Sequence, residues 1–402
     1  MKNSSVLKFG VLLVSLSVTF LACGTKKAGQ GSETEAAQPE IQTETQAEAP
    51  AVQESGLASE SEGEGGEASK ADDLKGMFGE NCIEEQTFEV QLSGYEKKVW
   101  FVPYAPSQEN DEFHIQIWSD NEVLTEITPY VPQGLAGEDF VSLDAVSFYD
   151  VNYDGNTDIV MVETYGGTGF AAVYYGALQE EGEGGNALYF VAQEKLSDNI
   201  SEKVSPLTIP EIRSFLSDGK KNGEFSDYRE AYEMVSRLCG LESSEEVKYN
   251  LIYFDEDDIP ELAAGVSGYY MSLYTWRDGN VYTLMDHWGY GAMGNAGYEY
   301  CPKKNSLRND NSDFAGAIVY TTYMKIGGQC TLEPVVQIET YNFDDVNENG
   351  IPDEDEMDSF GRYGESRIDG VTVTDEECAA YSAGEYEYIE VTMSAEELKL
   401  QM

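Results

Sequence analysis

Histidine and basic side chains are scarce in this chain: two His and 24 Lys plus Arg stand against 75 Asp plus Glu in 402 residues, a formal net charge of -51. With only His114 and His287, a His-Glu-x-x-His zinc protease site is excluded, and neither a Gly-x-Ser-x-Gly elbow nor a phosphate loop occurs. No Cys-x-x-Cys spacing offers zinc a site. The shortage of cations disfavours nucleic acid as a partner, because a field of this sign repels phosphate polymers and attracts divalent cations. Long hydrophobic runs are missing too, since the apolar stretch 9–21 is too short for a comfortable membrane span. From 24 to 73 there is no aromatic residue, and Glu, Ala, Gly, Ser, Gln and Thr dominate, so this stretch cannot bury enough apolar surface to order itself.

What is present is a repeated arrangement of oxygen-bearing side chains. Asp150-Val151-Asn152-Tyr153-Asp154-Gly155-Asn156-Thr157-Asp158 places Asp150, Asn152, Asp154 and Asp158 at positions 1, 3, 5 and 9, with the carbonyl of Asn156 at position 7. Gly155 at position 6 permits the sharp turn, and the all-oxygen set suits Ca²⁺ over a soft metal. Asp345, Asn347, Asn349, Ile351 through its carbonyl, and Asp353 repeat the spacing around Gly350, and Glu356 stands at position 12, the EF-hand place for a bidentate carboxylate. A degenerate copy runs from 253 to 261: Asp255, Asp257 and Glu261 are retained, Tyr253 stands where the first carboxylate belongs, and Asp258 replaces the glycine. Asp, Asn and Gly also dominate ordinary turns, so recurrence carries the metal reading.

The ends add a context. Lys2 and Lys8 precede the apolar run, which closes in Phe20-Leu21-Ala22-Cys23. That ending resembles the lipobox of bacterial lipoproteins, departing from it at Phe20, and the resemblance implies a signal over 1–22 and lipidation of Cys23. Residues 23–73 are expected to be a disordered acidic tether; a coil of roughly 50 residues spans about 40 Å, and its glutamates extend it. Setting aside the signal lysines (+2) and the tether (-9, three Lys against twelve acids), residues 74–402 carry -44 of the -51. Five further cysteines, Cys82, Cys239, Cys301, Cys330 and Cys378, allow at most two disulfides, and Cys301 with Cys330 is the first pair to expect.

The folded part reads as mainly β with a few short helices, an α+β chain in two β-rich modules. Short β-branched or aromatic segments at 87–92, 98–103, 113–118, 141–149, 158–164, 170–175 and 187–192 fill a first module, 74–204. A helical connection, 205–240, contains one helix opened by Pro210 and another from 227 to 238, capped by Ser226 and stopped by Gly240. In that second helix the stripe Tyr228, Ala231, Tyr232, Val235 and Leu238 reads as core packing. The second module, 241–402, has strands at 247–254, 262–266, 269–276 and 281–285 with a hairpin turn at 277–280, followed by a less regular part. There, Thr374 and Glu377 form a capping box, 386–393 reads as a strand with Ile389, Val391 and Met393 on one face, and 395–400 as a helical turn. Asp154 corresponds to Asp257 and Asp158 to Glu261 at an offset of 103, hinting at a duplicated module.

Residues 147–162, the first loop with its flanking strands, resemble the calcium loop of FG-GAP or VCBS-type repeats, and Ile259-Pro260-Glu261-Leu262 is similar to uncharacterised lipoproteins of Gram-positive gut bacteria. The resemblance implies an extracellular adhesion or recognition context and no particular enzyme activity. The favoured expectation is a lipid-anchored protein on the extracellular face of a bacterial membrane, a Ca²⁺-stabilised binding or structural module. Trp288 and Tyr290, set among glycines, are the candidates to stack on a glycan or protein ligand. Two other classes compete: a secreted hydrolase with glycosidase-like carboxylates, for which only the His287 and Asp286 pair suggests a base, and the solute receptor of an importer, which requires more helix.

Overall fold

Where β-branched and aromatic residues alternate with polar ones, the chain pairs into antiparallel meanders. The computed structural model describes residues 74–402 apart from Gly94, Glu109, 182–184 and Met293; the signal, Cys23 and the tether lie outside the described residues. After a short helix α1 (Leu74–Phe78), the first sheet runs β1 (Phe88–Val90), β2 (Val99–Tyr104), β3 (His114–Ser119), β4 (Glu122–Ile127). The second runs β5 (Phe140–Tyr149), β6 (Asp158–Tyr165), β7 (Thr168–Glu181), β8 (Gly185–Ala192). Three helices follow: α2 (Glu194–Lys203), α3 (Ile209–Ser217) and α4 (Tyr228–Glu242). The third sheet is again a meander, β9 (Lys248–Ile252), β10 (Glu261–Val266), β11 (Tyr270–Arg277), β12 (Asn280–Gly289).

The remaining strands are β13 (Tyr298–Cys301), β14 (Ser306–Asp313), β15 (Ile318–Ile326), β16 (Leu332–Tyr341), β17 (Glu365–Ile368), β18 (Val371–Val373) and β19 (Glu387–Tyr388). They form one seven-stranded sheet with β19 joined to β13 at its edge. Helix α5 (Asp375–Ala379) carries the Thr374 capping box, and α6 (Ala395–Gln401) has a second one at Ser394.

Layer order follows chain order. Ile159, Met161 and Tyr174 of the second sheet pack on Phe101, Ile115 and Ile117 of the first. Its other face, with Val160, Val162 and Val173, covers the helices through Leu196, Ile212, Tyr232 and Val235. Leu262, Ala264 and Tyr274 of the third sheet close that core from the other side, and Ala263, Met271 and Leu273 turn to Leu307 and Met324 of the fourth. Val160 and Ala263, each the third residue of its strand, thus face opposite ways: two similar meanders clasp the helical layer between opposite faces.

The mainly β class is as the sequence suggested, and all the described residues belong to one compact unit. Several details differ. The helical segment begins earlier, at α2, whose low hydrophobicity hid it. Asp227, not Ser226, caps α4, accepting from the N–H groups of Arg229 and Glu230. That helix continues through Gly240, beside which the Tyr249 hydroxyl reaches the carbonyl of Ser236 at 2.8 Å. The sequence does not announce β4 because its outer face is exposed, β14 because it is polar on both faces, or β16 because it is polar on one. Of 386–393 only β19 is a strand: Ile389 is buried against the fourth sheet, and Met393 exchanges hydrogen bonds with Tyr249 of the third, stitching the two together. Cys301 and Cys330 are not joined; all five described cysteines are free thiols.

Candidate metal centre

The first loop joins β5 to β6, whose last and first residues, Tyr149 and Asp158, pair directly. Two left-handed residues curl it, Tyr153 (φ 64°) and Gly155 (φ 85°). Curling brings the side-chain oxygens onto the loop's own N–H groups. Asp150 accepts from Asp154 at 3.2 Å and from Gly155 at 3.1 Å; Asn152 Oδ1 accepts from Asp154, and Asp154 Oδ1 accepts from Asn156 at 2.7 Å. Asp158, 0 % exposed, accepts from Val151 at 2.6 Å and from Gly176 of β7 at 2.9 Å. The close approach needs glycine at 176, where a Cβ would stand 2.2 Å from the carbonyl oxygen of Thr157.

The third loop, between β16 and β17, repeats this ladder step for step. Asp345 accepts from Asn349 and Gly350, Asn347 from Asn349, and Asn349 from Ile351, with Glu348 and Gly350 left-handed where Tyr153 and Gly155 are. Glu356 spends its oxygens on the N–H groups of Val346, Asn347 and Asp353, and both Asn347 and Asn349 donate to Asp353. The second loop keeps three rungs: Asp255 accepts from Asp257 at 3.0 Å, Asp257 from Ile259 at 2.7 Å, and Glu261 from Phe254 at 2.9 Å, as Asp158 does from Val151. No residue of 253–261 is left-handed, and Tyr253 is an exposed ring under the ammonium of Lys303.

Charge separates the three. In the second loop the Arg277 guanidinium lies 3.0 Å from Asp255, and in the third Arg367 lies 3.5 Å from Asp345. Among the described residues no ion pair reaches a carboxylate of the first loop: burial and then Asp154 raise Asp150 to about 7, and burial, Asp154 and Asp150 raise Asp158 to about 8. Glu261 is likewise raised to about 8, mainly by burial. Sequence reasoning missed the two arginines and Gly176, because nothing local to a loop announces a partner 18 or 22 residues away.

The first loop is also a junction. Thr283 of β12 donates its N–H to the carbonyl of Tyr153 and its hydroxyl to that of Asn152, and Thr157 accepts from the N–H of Ser93 near the first sheet. Three sheets therefore meet at this loop. Among the described residues, no three His, Cys, Asp or Glu side chains are grouped so as to hold a metal ion. A hard cation here would need the amide oxygen of Asn152 and the carbonyl of Asn156 beside the carboxylates, a set that the loop possesses.

Elsewhere the candidates fare differently. Trp288 lies within β12, opposite Met271, and both its ring and that of Tyr290 are half-buried on Tyr298 at 5.8 and 6.3 Å. That packing removes the reason for treating them as free stacking surfaces. His287 sits at a bulge with φ 50°, its Nδ1 2.6 Å from Asp286 and its ring stacked on Tyr270. Burial works against its protonation, yet the hydrogen bond and charge of Asp286 prevail and raise its pKa. The hydroxyl of Ser272 accepts from the His287 backbone N–H, a structural bond. No helix among the described residues is long and apolar enough to cross a membrane. Neither a family model, a curated protein nor a solved structure matches this chain.

Proposed function

We propose that this chain is a lipid-anchored protein on the extracellular face of a bacterial cell membrane, whose body is a Ca²⁺-stabilised scaffold that binds a glycan or protein ligand and performs no catalysis. The observation that carries the calcium reading is the absence of an ion pair, among the described residues, to the carboxylates of the first loop: half-buried Asp150 and buried Asp158 face Asp154 at a point where three sheets meet. A cation there removes the repulsion and ties the second sheet to its neighbours. The second loop, with Arg277 in place, is read as metal-free, and the third as the weaker site, since Arg367 partly neutralises Asp345. The layout ending at Cys23 supports the anchor and the membrane as partner.

The test is a metal count and thermal unfolding of the full chain, in calcium and in chelator. With a Kd near ~0.1 mM, as for weak extracellular modules, 10 mM calcium stabilises by about 2.7 kcal/mol. That is about 5 °C at roughly 2 °C per kcal/mol for a chain of this size. Asp154→Ala is expected to abolish most of that gain. Absence of bound calcium, or an unchanged gain in Asp154→Ala, would sink the reading. Cys23→Ala tests the anchor: the protein should leave the membrane pellet for the soluble fraction.

A further inference from the structure

The loop between β16 and β17 leaves large apolar side chains in solvent. Val346 is 74 % exposed and Ile351 51 %, and Met357 and Phe360 are exposed as well. Single exposed apolar residues are ordinary, but four within fifteen positions of one loop mark a surface that a partner covers. Val346 also lines a groove of about 600 Å³, together with Asp344, Asp353, Asp355, Asp358 and Arg362. That volume falls within the ~300–1,000 Å³ of ligand sites. Met357 and Phe360 stand in and directly after the turn Glu356–Ser359, whose Asp358 and Ser359 belong to the wall. Charge selects the occupant. Residues 344–362 carry eight Asp and Glu against the single Arg362. Arg367 of β17 is taken by Asp345 and Glu365, and among the described residues no ion pair reaches Asp344, Asp353, Asp355 or Asp358. Asp344, Asp355 and Asp358 fall outside the ligand positions of the third loop, so the metal reading does not account for them. A second copy of the chain would bring its own charge of -51 to the same groove, and nucleic acid or anionic lipid is repelled in the same way.

We propose that this groove is the docking surface for a basic segment of a partner protein, one in which lysines or arginines alternate with apolar residues. The apolar residues cover Val346, Met357 and Phe360, and the cationic groups meet the exposed carboxylates of Asp344, Asp355 and Asp358. Apolar contact supplies the affinity, and the carboxylates choose the partner and speed its arrival. This names the partner's chemistry for the binding module proposed above and rests on that part of the reading; it does not need calcium.

Isothermal titration of the full chain with the peptide Lys-Leu-Lys-Phe-Lys-Leu-Lys tests it, in chelator and at ~150 mM salt, where long-range attraction is screened. The peptide should bind, a version with serine at the apolar positions should bind ~10-fold more weakly or worse, and a version with glutamate for lysine should not bind. Asp355→Asn with Asp358→Asn should weaken the first peptide by ~10-fold, and Val346→Ser several-fold. Asp111→Asn with Glu112→Gln, which removes two exposed charges elsewhere, should change it less than ~2-fold. All these side chains are exposed, so each variant should melt like the wild type. No binding of the first peptide, equal binding of the serine version, or an unchanged affinity in the Asp355 and Asp358 double variant overturns the proposal. So does sedimentation that finds the wild type dimeric and Val346→Ser monomeric, which would give the patch to a second copy. Peptide binding that survives every groove variant leaves the module a binder with its surface elsewhere. Calcium-dependent melting of the same samples reports separately on the metal reading.

Discussion

Glu163 of β6 is 0 % exposed, and neither of its carboxyl oxygens has a hydrogen-bond partner. Its cross-strand neighbours are Leu143 and Phe170, so it projects into the apolar layer between the first and second sheets. Burial, and secondarily the charge of Asp144, raises it from 4.5 to about 8. The sign follows: a carboxyl whose folded pKa is raised favours folding when protonated. That stability is fully present below the unfolded value and is lost as pH climbs toward 8. At about 1.36 kcal/mol per unit, the loss between pH 5 and 8 is about 3 kcal/mol. Glu163→Met keeps an unbranched side chain of similar size and removes both the charge and the unsatisfied oxygens. The variant should exceed the wild type in urea-unfolding free energy by about 3 kcal/mol more at pH 8 than at pH 5. Comparing variant with wild type cancels the parallel contributions of Asp158 and Glu261. An equal difference at the two pH values, or a variant less stable at pH 8, would refute the reasoning.

Three other substitutions probe the loops and the C-terminus. Gly176→Ala drives a methyl against the Thr157 carbonyl and disturbs the bond to Asp158, and should cost about 2–3 kcal/mol in urea unfolding. Arg277→Ala strips the second loop of its internal cation; Asp255 is 9 % exposed but Arg277 39 %, so screening limits the loss to about 1 kcal/mol. Ser394→Ala removes the N-cap of α6, with an expected loss of about 1 kcal/mol and faster amide exchange over 395–401.

The loop ladders were legible because their grammar is local. Asp, Asn and Gly at fixed offsets both curl the backbone and supply the acceptors for its N–H groups, so nine residues carry the whole arrangement. Strands with one apolar face were legible for a similar reason, and β14, written Ser-Leu-Arg-Asn-Asp-Asn-Ser-Asp, was not, because its pairing is enforced by neighbours on both sides. What no local pattern announces is the origin of a countercharge. The second loop lost the first carboxylate to Tyr253, and an arginine from the end of β11 lies against its remaining Asp255. The third kept every loop ligand and yet has Arg367 beside Asp345. Among the described residues, only the first loop combines a full set of oxygens with carboxylates that form no ion pair with the protein's own cations, unlike Asp255 and Asp345. The three loops therefore differ less in their ligands than in what neutralises them, and that difference lies in residues that the fold alone brings near.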